Sequence, residues 1–362
     1  MIHMNKLVLI GAGHSHLIAV EQLFKLGLAN AEVTLISDVQ EAPYSGMLSG
    51  YMAGIYEKND LTIDLEALAK KFNVRLMIGK IVSIDPVGQK LLLSGGEEVT
   101  YDCLSINIGI LPARISCSGE DQEKIIYVKP LSHFIPKWEK LLEEKKNLKI
   151  SVVGGGSAGL EVTHALMLRG FKHVHLISSS DSLLPELGSA TKDKAKQALT
   201  AKKVQLHLNS TAVSYAEGKL LLSTGASIEC DYAFICTGAK AQRIKGLETD
   251  AEGYLVTNSQ LQVQGFKNIF AAGDCINFNH QKLPKAGVYA VREGAILARN
   301  LFSALHSKEL EEFLPQKIFL KIHLTGHKQA LASKGRFYYQ GKLAWLLKDY
   351  LDRSFMKRFK GM

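Results

Sequence analysis

Two glycine clusters carry the plainest chemical signal in the chain: Gly11-Ala-Gly13-His14-Ser15-His16, and Gly154-Gly-Gly156-Ser157-Ala-Gly159. Glycine lets a turn close tightly and lets backbone approach a pyrophosphate. A helix opening directly after the turn aims unpaired N–H groups and a positive dipole end at the phosphate charge. His14, Ser15 and Ser157 add side chains able to donate to phosphate. His16 stands where the second cluster has its third glycine, Gly159.

Other residues fall where a dinucleotide needs them. Ser37 and Asp38 follow one apolar run and Ser178 another, at the position where an acidic side chain usually accepts hydrogen bonds from the adenosine ribose. Ser178 lacks the acidic side chain that would make NADH preference strict, yet no Arg stands beside it as a clamp for a 2′-phosphate, a balance that leans slightly to NADH. Asn107 with Gly109, and Gly238, close two further apolar runs beside the expected nucleotides. Gly265 to Asp274 is a buried run ending in small residues and a carboxylate, at Gly273 and Asp274. Lys285, Ala286, Gly287 and Val288 then open a helix.

The elements holding these residues read as short parallel strands and helices. Lys6–Ile10 and Lys149–Val153 are nearly all apolar, the pattern of strands buried on both faces. Each runs through its glycine turn into a helical pattern, as far as Leu26 and Arg169. A second strand follows at Glu32–Ile36 and at His173–Ile177. Asp102–Ile110 and Asp231–Gly238 read as strands leaving each unit beside its ligand. The turns are too far apart for a repeat array and suit one nucleotide domain inserted in another. The expected fold is α/β, with two nested Rossmann-type dinucleotide-binding domains. Residues 1–110 and 252–300 are expected to form one discontinuous nucleotide-binding domain, 111–251 the inserted one, and 301–362 a C-terminal α/β or helical segment.

Composition narrows the classes. With 46% hydrophobic and 22% charged residues the chain is globular, long enough for two or three cores. No apolar run spans a bilayer, and Met1–Asn5 leads straight into a strand, so a cytoplasmic location is expected. Five cysteines without a CxxC pair argue against structural disulfides and metal clusters. The net charge of +9 attracts anions, yet no nucleic-acid motif accompanies it.

Together these residues resemble the pyridine nucleotide-disulfide oxidoreductase superfamily, of glutathione-reductase-like fold, over roughly residues 5 to 300. Pro43-Tyr-Ser-Gly-Met-Leu48, Pro284-Lys-Ala-Gly-Val288 and the tail Trp345–Met356 look like the NADH dehydrogenase-like flavoproteins associated with selenide, water dikinase, relatives of type II NADH dehydrogenases. The resemblance implies FAD for the discontinuous domain and NAD(P)H for the inserted one. It puts FAD pyrophosphate on Gly11, Gly13, His14 and Ser15, its ribose at Ser37 or Asp38, its ribityl-phosphate end at Gly273 and Asp274, and the flavin ring facing Lys285–Val288. It implies NAD(P)H pyrophosphate on Gly154, Gly156, Ser157 and Gly159, the ribose at Ser178, and Glu161 on the first helical turn near the nicotinamide. Hydride would pass from nicotinamide C4 to flavin N5, then electrons to a quinone-like acceptor.

The region 43–54 lacks the cysteine pair of the disulfide reductases, and Cys117 with Cys275 match poorly the sulfur-holding pair of sulfide:quinone reductases. A flavin-dependent sulfur or selenium oxidoreductase, and a non-catalytic FAD/NAD-binding partner in selenium metabolism, remain alternatives. Lys342–Met362 reads as a basic amphipathic helix, suited either to peripheral contact with the inner membrane face or to covering the protein's own core or a dimer interface. Monomer and homodimer both stay open. Glu161 could position nicotinamide or simply complement the helix dipole. His14 is assigned to phosphate or ring contact and His16 to packing. Lys285 is placed at the flavin N1–C2 edge, and Cys275 reads more readily as a small buried hydrophobe than as a redox group.

Overall fold

The computed structural model describes residues 4–28, 31–117, 119–144 and 147–360. Two five-stranded parallel sheets repeat one plan. In the first, the order is Ile269–Ala271, Cys103–Ile106, Asn5–Ile10, Ala31–Ser37 and Arg75–Ile78. In the second it is Ile125–Tyr127, Tyr232–Ile235, Lys149–Val153, His173–Ile177 and Gln205–His207. The strand leading into each glycine turn is the middle strand. Its apolar side chains are almost fully buried on both faces, Leu7, Val8 and Leu9 in one sheet and Ile150, Val152 and Val153 in the other. Each such side chain contributes about 1.5–3 kcal/mol when removed from water.

Helix α1 (His14–Lys25) follows the first turn and α2 (Ser157–Leu168) the second. The expected strand Asp102–Ile110 stops at Ile106. Ile110–Pro112 leaves the sheet to pair antiparallel with Ala239–Ala241, tying the two units together. Helix α3 (Gly287–Leu305) returns the chain to α1, packing so closely that a Cβ on Gly294 would lie 2.6 Å from the Ser15 carbonyl oxygen. It passes the expected boundary at residue 300.

The C-terminal segment holds both α and β structure. An antiparallel three-stranded sheet, Lys321–Gly326, Gln329–Lys334 and Phe337–Gly341, packs on α2, and helix α4 (Lys342–Phe359) covers its other face. The last two residues of the expected helix lie outside the described residues. Among the described residues no helix is long and apolar enough to cross a membrane, and no group of His, Cys, Asp and Glu could hold a metal ion.

Candidate functional site

Both nucleotide turns leave donors unspent. Gly11 and Gly154 take φ of +92° and +128°, a left-handed region open to glycine at little cost. Gly13 and Gly156 cap α1 and α2 without any side-chain cap, so the first-turn N–H groups point out unpaired. Around the first turn the Ser15 hydroxyl and Asn107 Oδ1 are buried with no partner. Asn107 Nδ2 donates to the Ala272 carbonyl oxygen at 2.6 Å, and a Cβ on Gly13 would come 2.1 Å from Asn107 Oδ1. Uncapped N–H groups, an orphaned hydroxyl and a backbone without side-chain cover are what a pyrophosphate needs, so these residues fit FAD.

At the ends of the second strands the units match again. The Ser37 hydroxyl accepts from Val39 N–H at 3.2 Å, and the Ser178 hydroxyl from Ser180 N–H at 3.3 Å. Each serine is buried beside its turn, with its O–H proton left to donate; Asp38 is exposed beyond Ser37. Gly109 and Gly238, both with positive φ, flank the antiparallel ribbon between the units.

The structure separates the two histidines of the first turn. His16 is wholly buried: its Nδ1–H donates to the Gly11 carbonyl oxygen at 2.7 Å, and its Nε2 accepts from the Ser105 hydroxyl at 2.8 Å. His14 packs its ring 5.3 Å from Tyr44 and 5.6 Å from Phe355. Burial pulls both imidazoles down to about 4, so both are neutral near pH 7.

Gly273, Asp274, Lys285 and Ala286 come together on a cavity of about 540 Å³, shared with Tyr254 and Glu293. Gly287 and Val288 begin α3 just outside its lining. Asp274 pairs with Lys129 at 2.8 Å. Lys285 does not extend a free charge. Its ammonium donates to the Ile276 carbonyl oxygen and sits 4.0 Å from the Tyr254 ring centre, and burial lowers its pKa. Glu293 reaches back to accept from Gly273 N–H at 2.5 Å, its carboxyl pushed up to about 7 by burial.

Glu161 is the fifth residue of α2, on its second turn and not its first, because the helix opens at Ser157. Its Oε1 accepts from the Ser49 hydroxyl and from Leu324 N–H, each at 2.9 Å, so a dipole role alone does not describe it. Ser49 belongs to the short helix Leu48–Met52 of the first unit. The first turns of α2 therefore lie against the first unit.

Helix α4 departs from a simple amphipathic reading. Trp345, Phe355 and Phe359 face the core, yet Leu343, Leu346, Leu347, Tyr350 and Leu351 are exposed, and Lys348 is buried. Lys348 donates to Asp352 at 3.0 Å and to the Gly46 carbonyl oxygen at 2.7 Å, while Tyr44 donates to Asp352 at 3.0 Å. Burial alone would depress the Lys348 pKa; Glu161 and Asp352 outweigh it and keep the ammonium charged. The Pro43–Leu48 stretch and the tail, distant in sequence, thus form one structure. Lys129, Glu293, His323, Lys348 and Asp352 were not expected from the sequence. Glu293 was traceable, two helical turns after Ala286; a buried lysine on a basic helix carries no such signal.

Cys117 and Cys275 do not flank one site. Cys117 lies on the short strand Ser116–Cys117, paired parallel with Ala212–Ala216 in the second unit, and Cys275 is buried after the first unit's return strand, its thiol pushed up to about 12.

Two glycine turns with uncapped helix heads, in units joined through Ser49 and Glu161, belong to a two-cofactor oxidoreductase, an FAD-dependent NAD(P)H dehydrogenase by class. Residues 5–294 match the pyridine nucleotide-disulphide oxidoreductase family, and the chain belongs to it. Ferroptosis suppressor protein 1 of Taeniopygia guttata is 28% identical over 302 residues, covering 78% of this chain and 78% of that protein. Type II NADH:quinone oxidoreductase of Staphylococcus aureus is 24% identical over 344 residues, covering 85% and 84%. The sulfide:quinone oxidoreductase of Aquifex aeolicus superposes with a TM-score of 0.83 at 19% identity, over 98% of this chain and 91% of that one, a likeness of fold.

Proposed function

We propose that the protein is an NADH:quinone oxidoreductase working at a membrane surface. The observation that carries this reading is the hydrogen bond between Ser49 and Glu161, 2.9 Å across the two units, which brings the head of α2 to the FAD-side domain. FAD, when bound, supplies hydride acceptance from the nicotinamide and electron release to a second acceptor.

In this reading Gly11, Gly13 and Ser15 hold the FAD pyrophosphate, Ser37 or Asp38 its ribose, and Gly273 and Asp274 its ribityl-phosphate end, with Asn107 and Gly109 alongside. His14 supplies ring contact. Lys285–Val288 face the flavin, and Lys285 stiffens that edge through Ile276 and Tyr254. Gly154, Gly156, Ser157 and Gly159 hold the nicotinamide nucleotide, Ser178 and Gly238 line its path, and Glu161 orients the nicotinamide end.

The quinone acceptor is supported by the Staphylococcus aureus relative's name and by α4. Its exposed stripe includes Leu343 at 66% and Tyr350 at 68% exposure, beside Phe337 at 84%. Exposed Lys342 and Lys357 flank the stripe. Apolar side chains rimmed by cations suit an anionic lipid surface, where quinones dissolve.

The test is an anaerobic titration of the purified protein. NADH should bleach the flavin band near ~450 nm, where the protein tunes the cofactor's electronics, and a quinone analogue should restore it. A flavin that NADH reduces but quinone cannot reoxidise removes the quinone assignment.

A further inference from the structure

The strand Lys321–Gly326 lies beyond the family-matched residues and grips the head of α2 at two points. Leu324 N–H donates to Glu161, and one residue earlier His323 Nε2 lies 2.9 Å from the Ser157 hydroxyl. Ser157 is the first residue of α2, directly after the uncapped Gly156. His323 is 3% exposed, and its Nδ1 is buried without a partner.

We infer that His323 is a positioning residue for the nicotinamide nucleotide, turning the Ser157 hydroxyl so that its proton is free for the pyrophosphate. This rests on the reading of Gly154–Gly159 as the nicotinamide turn. A neutral imidazole carries one N–H, so only two arrangements exist. With the proton on Nδ1, an orphan donor is buried and Nε2 accepts a hydrogen bond from the Ser157 hydroxyl, turning that O–H from the phosphate. With the proton on Nε2, the orphan is an acceptor, the better tolerated kind in protein interiors, and the imidazole donates to Ser157 Oγ. The hydroxyl then keeps its own proton for a ligand at the helix head.

Burial lowers the His323 pKa although Glu161 and Glu186 oppose it, in keeping with a neutral ring. The Ser157 donor sits at the positive end of the α2 dipole, where an anionic oxygen gains most from it.

The experiment uses FAD-loaded protein and ADP-ribose, which carries the pyrophosphate and no nicotinamide, followed by isothermal titration. Replacing His323 by Leu should weaken ADP-ribose binding about tenfold, the worth of a hydrogen bond to a charged group, with flavin content unchanged. His323→Gln, whose amide N–H reaches the Nε2 position, should stay within about threefold of wild type on the same scale. In a Ser157→Ala background the His323→Leu change should add nothing. Should the Leu variant not fold, His323→Asn, too short to reach Ser157, replaces it. Equal affinity of wild type and the Leu or Asn variant overturns the assignment, as does an undiminished effect in the Ser157→Ala background. Failure of wild type itself to bind ADP-ribose would overturn the nicotinamide reading of the turn.

Discussion

His16 Nδ1 lies 2.7 Å from the Gly11 carbonyl oxygen, whereas at the matching place in the second unit a Cβ on Gly159 would lie 1.7 Å from the Gly154 carbonyl oxygen. One carbonyl, two solutions: in the second unit helix and turn touch through a missing side chain, and in the first an imidazole spans them and reaches on to Ser105.

Replacing His16 by Ala should therefore cost about 2–4 kcal/mol, combining a lost buried ring with two orphaned polar groups. His16→Gly, which restores the usual glycine without the ring, should be no better. Urea unfolding with flavin fluorescence checks both, and a loss below about 0.5 kcal/mol would mean the ring is not structural.

Gly159→Ala should spare the flavin and damage the nicotinamide site, because the added methyl must push α2 off its turn. Flavin absorbance should be unchanged while the KM for NADH rises about tenfold or more. Equal loss of bound flavin would show that the two turns are not independent.

Glu293 gives a pH signature. Its carboxyl titrates at about 7 in the fold against 4.5 in the open chain, so the folded state binds the extra proton between these values. The stabilisation is complete below pH 4.5, falls as pH rises to about 7, and is then lost, on the order of 3 kcal/mol in all. Glu293→Gln should flatten that stretch of the stability–pH curve; an identical slope in both proteins would refute the assignment.

Lys348→Met should destabilise the fold by about 3–5 kcal/mol, leaving the buried Asp352 carboxyl without its cation. Adding Asp352→Asn should recover much of the loss, which chemical denaturation of the single and double variants measures.

Leu347→Glu with Leu351→Glu changes only the exposed stripe of α4. The pair should release the protein from anionic vesicles in a flotation assay and leave NADH:ferricyanide turnover as it was. Unaltered vesicle binding would place the contact elsewhere on the surface.

The two nucleotide units were legible because each is local. An apolar run, a glycine turn and a 3.6-residue period lie within some thirty consecutive residues, and their repetition identifies a pair of sites. The class of enzyme follows from those local patterns. Cysteine spacing reads the same way at both levels: Cys117 and Cys275 match a sulfur-holding pair poorly in sequence, and in the fold Cys117 lies on a strand of the second unit while Cys275 ends a short turn after the first unit's return strand.

What the tertiary structure decided is how remote segments meet. Tyr44 and Asp352 are 308 residues apart yet hydrogen-bonded, and Ser157 meets His323 across 166. Periodicity along α4 shows apolar and charged residues but not which face finds a partner. Lys348 enters the core only because Asp352 and the Gly46 carbonyl await it there, while five apolar neighbours stay outside. Local pattern encodes elements; burial, which sets hydrogen-bond partners and pKa values, exists only once those elements have packed.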